Sequence, residues 1–291
     1  MTQKQRQRTI QWYPGHIAKA EKSLKEQLKL VDVVLEVRDA RIPLATNHPQ
    51  VPQWVGNKMR LLVLNRLDMI SPPVQQRWLA WFLAQGEKPY FTNAQTGEGV
   101  KALAKAVQAA GVEINHKRRL RGMLPRAVRA VVIGFPNVGK SALINRLLNR
   151  RVVESSARPG VTRHLHWVRI SEQLELLDAP GVIPSRLDNQ ENAIKLAICD
   201  DIGEASYDNY LVAAELINLL IHLQASSNGL VSLDLLQSRY GIDPTSINGE
   251  QYLQAIAQLK YCGDIERSAR QVLMDFRKGL LGALPLELPP Q

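Results

Sequence analysis

The sequence predicts an α/β fold: a mostly parallel sheet with helices on both faces, followed by a smaller all-α region. Three observations carry this. Short β-branched runs alternate with helical patterns through the first two thirds of the chain, the rhythm of parallel βαβ units. A glycine-rich loop, Gly134-Phe135-Pro136-Asn137-Val138-Gly139-Lys140-Ser141, separates the apolar run Val128 to Ile133 from a helical pattern over Ser141 to Leu148. Beyond residue 190 strand signals fade and helical patterns dominate.

In chain order, residues 1–30 form a basic arm. Lys4, Arg6, Arg8, Lys19, Lys22, Lys25 and Lys29 face only Glu21 and Glu26. Within it stands Gln11-Trp12-Tyr13-Pro14-Gly15-His16, with a turn at Pro-Gly and a helix predicted from Ile17 to Leu30. Val31 to Val37 reads as a strand and Arg38-Asp39-Ala40-Arg41-Ile42-Pro43 as a charged loop. Arg60 to Leu64 is a second strand running into Asn65-Arg66-Leu67-Asp68. A helix follows from the N-cap Ser71 and Pro72 to Gly86. Pro89 to Phe91 is a short strand leading to Thr92-Asn93-Ala94. Gly99 to Ala110 is helical, with Val100, Leu103, Ala104 and Val107 on one face. Residues 111–127, basic and opened by Gly111, read as a linker. Leu165 to Ile170 and Gln173 to Leu177 predict a hairpin ending in Asp178-Ala179-Pro180-Gly181. The remaining helices are expected over Ala193 to Cys199, Tyr210 to Leu223, Leu230 to Ser238, Gly249 to Tyr261 and Ser268 to Gly279. In parallel sheets ligands bind at the C-terminal strand ends. The loops at Arg38, Asn65 and Thr92 should therefore share one rim with the loop at Gly134.

That loop fits G-x-x-x-x-G-K-[ST], the phosphate-binding P-loop, in its strand–loop–helix context. Its backbone N–H groups, from Asn137, Val138 and Gly139 to Lys140, Ser141 and Ala142, would cradle a polyphosphate. Lys140 would reach the β- and γ-phosphates, and Ser141 would ligate Mg²⁺. Asp178 would meet Mg²⁺ through water, and the Gly181 N–H would meet the γ-phosphate. Thr162, in a Pro-Gly stretch, would complete the Mg²⁺ shell only when γ-phosphate is present. Asn65-Arg66-Leu67-Asp68 resembles the guanine-reading Asn-Lys-x-Asp. The Asp68 carboxylate can accept from the guanine N1–H and 2-amino group, donors that adenine lacks. Arg66 replaces the lysine that packs along the base and braces the P-loop. Thr92-Asn93-Ala94 stands where a third loop holds the base through the Ala94 N–H.

The base-reading elements here precede the phosphate-binding ones, a circular permutation of the GTPase fold. Together with Trp12-Tyr13-Pro14-Gly15-His16, Asp39-Ala40-Arg41-Ile42-Pro43 and Asp275-Phe276-Arg277-Lys278-Gly279, this order resembles the YlqF (RbgA) family of circularly permuted ribosome-assembly GTPases. The resemblance covers nearly the whole chain. It implies a P-loop GTPase domain over residues 31–188 after the arm at 1–30, and a helical RNA-binding domain over 189–291. It also implies binding to a maturing large (50S) ribosomal subunit through rRNA, and GTP hydrolysis at a late assembly step. The position after the sensor glycine, where a glutamine would orient the attacking water, is Val182. Hydrolysis should thus be slow in isolation, with His16, on an arm that could reach the site, as the candidate group. His16, Lys140 and Thr162 are the candidate catalytic residues. Asn137 is placed to hold a K⁺ beside the phosphates, as in related GTPases.

Composition agrees. The 291 residues are 45% hydrophobic and 22% charged, with a formal net charge of +10 that favours nucleic acid as partner. No apolar run reaches about 18 residues, so no membrane span is expected. The basic, polar start has no apolar h-region, so no secretory signal is expected. Cys199 and Cys262 are the only cysteines. They suit a reducing, cytoplasmic location without disulfide or structural zinc. A monomer is expected. Two rivals remain: a GTP-regulated switch that recruits a protein, and an RNA-binding module with negligible turnover.

Overall fold

A computed structural model describes residues 17–148, 166–171, 174–179, 181–182, 189–203 and 207–290. His16 and Thr162 lie outside the described residues. Among the described residues six strands are seen: β1 (Val33–Asp39), β2 (Met59–Asn65), β3 (Pro89–Thr92), β4 (Val128–Ile133), β5 (His166–Ser171) and β6 (Leu174–Asp178). They form one sheet in the order β3-β2-β1-β4-β6-β5, parallel except for the β5–β6 hairpin. The chain enters this sheet at a central strand, and β4, which carries the P-loop, pairs with β1. Such an entry is what a permuted domain requires.

Alternation of side chains covers both faces. Val33, Leu35 and Val37 point to one side with Ala130 and Val132. There they meet Leu103 and Val107 of α4 (Val100–Leu120) and Leu143 of α5 (Lys140–Leu148). Val34, Val131 and Ile133 face the other side, under Leu24 and Leu28 of α1 (Ile17–Leu28) and Val51 and Val55 of α2 (Val51–Val55). Farther along the same sheet, Leu62 and Leu64 meet Trp78 and Phe82 of α3 (Pro72–Ala84). Register then builds the rim: Asp39 lies beside Asn65, and Asn65 beside Thr92.

Two expectations are corrected. Residues 111–120 are not linker, because α4 continues unbroken to Leu120. Gly111 reads as a breaker but is a packing point: a Cβ there would stand 3.0 Å from Val128 Cγ2. Beyond it, Glu113 and Lys117 pair at i,i+4 (2.6 Å). Lys117, Arg118 and Arg119 sit in the last turn, where the helix dipole favours positive charge. Arg38 and Asp39 are also not loop residues but the end of β1.

The C-terminal helices are α6 (Gln190–Ile198), α7 (Asn209–Ser226), α8 (Asp234–Tyr240), α9 (Gly249–Lys260) and α10 (Ile265–Arg277). Apolar α7 is central, touched by α6, α9 and α10. Asp208, Asn248 and Asp264 cap α7, α9 and α10 through side-chain oxygens, each worth about 1 kcal/mol. The Asp264 cap starts α10 three residues before the expected Ser268. The tail then returns to the rim. Leu286 and Glu287 donate their N–H groups to the Arg41 carbonyl (3.0 and 3.1 Å). The Glu287 carboxylate accepts from the Leu44 and Ala45 N–H groups (2.7 and 3.1 Å).

Candidate nucleotide site

Asn65 ties the rim together. Its Nδ2 donates to the Val138 carbonyl of the P-loop at 2.8 Å. Its Oδ1 accepts from Thr92 Oγ1 (3.0 Å) and the Ala94 N–H (3.1 Å). One buried amide thus joins the ends of β2 and β3 to the phosphate loop. Thr92 is a fully buried brace, and the Ala94 N–H, expected to meet the base, is engaged by Asn65. Asn93 shapes this third loop, its Oδ1 accepting from the Gln95 and Thr96 N–H groups (2.8 and 3.1 Å). Gly139 has φ of +96°, and a Cβ on it would stand 2.2 Å from Asn65 Nδ2, so only glycine serves there.

Arg66, in the left-handed region at φ 64°, donates from Nη2 to the Asn137 carbonyl at 2.8 Å. It braces the P-loop as the usual lysine would. Its Nε lies 3.3 Å from Asp39 Oδ2. Asp68 follows in a short 3₁₀ turn and presents an exposed carboxylate to the cleft.

At the phosphate end, Lys140 is buried and its Nζ donates to the Phe135 carbonyl at 2.7 Å. Burial brings its pKa down to about 8, with Asp178 and Asp201 pulling the other way. Ser141 Oγ donates to Asp178 Oδ2 at 3.1 Å, so two of the three expected Mg²⁺ groups meet. Hard oxygen donors of this kind fit Mg²⁺. Gly181 abuts the P-loop; a Cβ there would stand 2.5 Å from the Pro136 nitrogen. Val182 donates its N–H to the Gly134 carbonyl (3.1 Å) and buries its side chain with Leu24, Ile133 and Ala179. Val138 serves through its backbone, because its side chain is in the core. Ala142 lines the cleft.

The conspicuous charges of Asp39-Ala40-Arg41-Ile42-Pro43 do not face a ligand. Asp39 and Arg41 are both 0% exposed. They pair twice, Nη2 to Oδ2 at 2.7 Å and Nε to Oδ1 at 3.0 Å. Burial would raise the Asp39 pKa, but Arg41, with Arg66 behind it, holds it below the ordinary value. The Arg41 guanidinium also lies 5.3 Å from the centre of the Phe276 ring. This motif is a staple between sheet, α10 and tail.

The cleft holds about 970 Å³, the upper end for small-molecule sites and ample for a nucleotide. One wall is Asn65, Arg66, Asp68, Ala94, Asn137 and Gly139; the other comes from the helical region, with Asp200, Arg270, Met274 and Lys278. Sequence reading missed that second wall. Asn137 Nδ2 donates to the Asp200 carbonyl at 2.7 Å, a contact across the two regions that no local pattern signals.

Comparison with known proteins places this geometry. The family model described as "50S ribosome-binding GTPase" matches residues 129–237. That span holds the P-loop and the sensor but leaves Asn65 to Asp68 ahead of it, as permutation requires. Ribosome biogenesis GTPase A of Bacillus cereus is 33% identical over 288 residues, covering 97% of this chain and 95% of the relative. Two solved structures share the fold. GNP-bound YlqF from T. maritima has a TM-score of 0.63 at 23% identity, covering 94% of this chain and 99% of that one. GDP-bound YlqF has a TM-score of 0.66 at 22% identity, covering 92% and 99%. With its guanine-reading loop ahead of its P-loop and this likeness along nearly its whole length, the chain belongs to the ribosome biogenesis GTPase A (YlqF/RbgA) family of circularly permuted GTPases.

Proposed function

We propose that this GTPase acts in maturation of the large ribosomal subunit, as a cytoplasmic monomer that binds rRNA in its GTP state and leaves after hydrolysis. The observation that carries the reading is the shared cleft. Because the P-loop and α10 line one pocket, and Asn137 bonds Asp200 across it, nucleotide state and the setting of the helical region are linked. The net charge of +10 supports an rRNA partner for residues 189–291 and the basic arm. Among the described residues no helix is long and apolar enough to cross a membrane.

GTPases of this family generally use Mg²⁺. Ser141 would hold it directly and Asp178 through water, with Thr162 joining when γ-phosphate is bound. The ion would neutralise charge between the β- and γ-phosphates. Lys140 would leave the Phe135 carbonyl for those phosphates, and the Gly181 N–H would meet the γ-phosphate. Asn137 is our candidate ligand for a K⁺ beside them. Asp68 selects guanine, and Arg66 keeps the P-loop in register with it.

Val182 cannot orient water, since its side chain belongs to the core. We assign that task to His16. It immediately precedes α1 in the sequence, and Leu24 of α1 packs in the same cluster as Val182, next to the sensor glycine. Binding of the full chain to purified large subunits, with a non-hydrolysable GTP analogue or with GDP, tests the switch. Tighter binding with the analogue, weakening with salt, is expected; equal binding contradicts it. In the same preparation His16→Ala should lower particle-stimulated turnover while leaving GTP affinity unchanged.

A further inference from the structure

Helix α10 has two faces. Val272, Leu273 and Phe276 are buried in the core of the helical region. Arg270, Met274 and Lys278 recur at four-residue spacing and are exposed, and all three line the nucleotide cleft opposite Asp68 and Ala94. Met274 is 39% exposed between two cations, and Arg270 has only a loose pair with Glu266 at 3.7 Å.

This face is held at a fixed distance from the base-reading loop. Arg277 donates to the Ala197 and Ile198 carbonyls (2.9 and 3.0 Å) and to the Tyr207 hydroxyl (2.7 Å), locking α10 to the end of α6. Asp200, just beyond α6, receives Asn137 of the P-loop. At the other end, a Cβ on Gly279 would stand 3.2 Å from Sδ of Met69, the residue after Asp68. An apolar, polarizable side chain flanked by cations complements one ligand chemistry well: a flat purine joined to a polyanionic tail.

We propose that Arg270, Met274 and Lys278 form the second wall of the guanine-nucleotide site, across from Asp68 and Ala94, with Met274 packing on the nucleoside and the two flanking cations attracting the polyanion into the cleft. The helical region is then part of the nucleotide site itself. This rests on the GTP-binding reading of the cleft and adds three residues to it.

The test is titration of the full chain with GDP and with guanosine, comparing wild type with Met274→Ser and with the double variant Arg270→Ala, Lys278→Ala. All three positions are exposed, so melting temperatures should match wild type. The double variant should weaken GDP by about three- to tenfold and leave guanosine unchanged, and Met274→Ser should weaken both ligands by a similar factor. GDP affinity unchanged in both variants overturns the proposal. If rRNA affinity then falls instead, the stripe faces nucleic acid. Failure of the wild type to bind GDP would instead sink the site reading.

Discussion

Replacing Asn65 with Asp exchanges one amide nitrogen for oxygen and removes one hydrogen-bond donor at the centre of the rim. The oxygen that accepts from Thr92 and Ala94 is kept. The group that donates to the Val138 carbonyl at 2.8 Å becomes an oxygen facing an oxygen. Asn65 is only 3% exposed, so water cannot easily repair the loss. A lost bond costs about 1 kcal/mol net, and the stranded carbonyl about 1–3 kcal/mol more. The penalty should total about 3 kcal/mol, or about 6–12 °C in melting temperature. Burial among acceptors would raise the new carboxyl's pKa, and its protonated form can donate to Val138 again. The deficit should therefore shrink as pH falls from 7 to 5.5. GDP affinity should drop by about tenfold, since Val138 belongs to the phosphate loop. Thermal unfolding at both pH values, with GDP titration, is the assay. A melting temperature within about 1 °C of wild type at pH 7, or a deficit that ignores pH, would refute the role given to Asn65.

Three further predictions follow from the same geometry. Lys140 has a pKa of about 8, and phosphate prefers its charged form. Binding should therefore take up a proton above that value, and GDP affinity should fall about fourfold between pH 7 and 8.5; calorimetry in buffers of different ionisation heat would show the uptake, and its absence at pH 8.5 would contradict the burial argument. Asp39→Ala leaves Arg41 buried and unpaired and should cost about 3–5 kcal/mol, read as a lower urea midpoint and faster proteolysis near residue 286, whereas Asp39→Leu with Arg41→Met should recover most of it. Asp68→Asn should weaken GDP by about tenfold or more at unchanged melting temperature, because its carboxylate is exposed at the cleft and would accept from the base.

Local chemistry made much of this readable in advance. The P-loop, the parallel strands and the shared rim follow from residues that are neighbours in sequence or obey a strand period. Gly139 and Asn65 come together because β4, β1 and β2 are parallel neighbours whose C-terminal ends share one rim. What stayed hidden depends on distant partners. Glu287 meets Leu44 and Ala45 across 243 and 242 positions, and Asn137 meets Asp200 across 63. Nothing near Gly111 announces that Val128 fills the space a side chain would take. The charges at Asp39 and Arg41 read as a charged loop on the rim because charges are seldom buried; a doubly bonded pair cancels that rule. The α10 stripe was hidden for a related reason: Arg270, Met274 and Lys278 look like an ordinary exposed face until the tail and Arg277 bring that face over the cleft.

In the function proposed above, the site of this GTPase is completed by a maturing large ribosomal subunit. Single-turnover and steady-state release of phosphate from GTP, with and without purified large subunits, tests it most directly. Slow release is expected from the isolated chain, because Val182 is an apolar core residue, and a large acceleration with the particle that is lost in His16→Ala. Fast release by the isolated chain, or no acceleration by the particle, would contradict it.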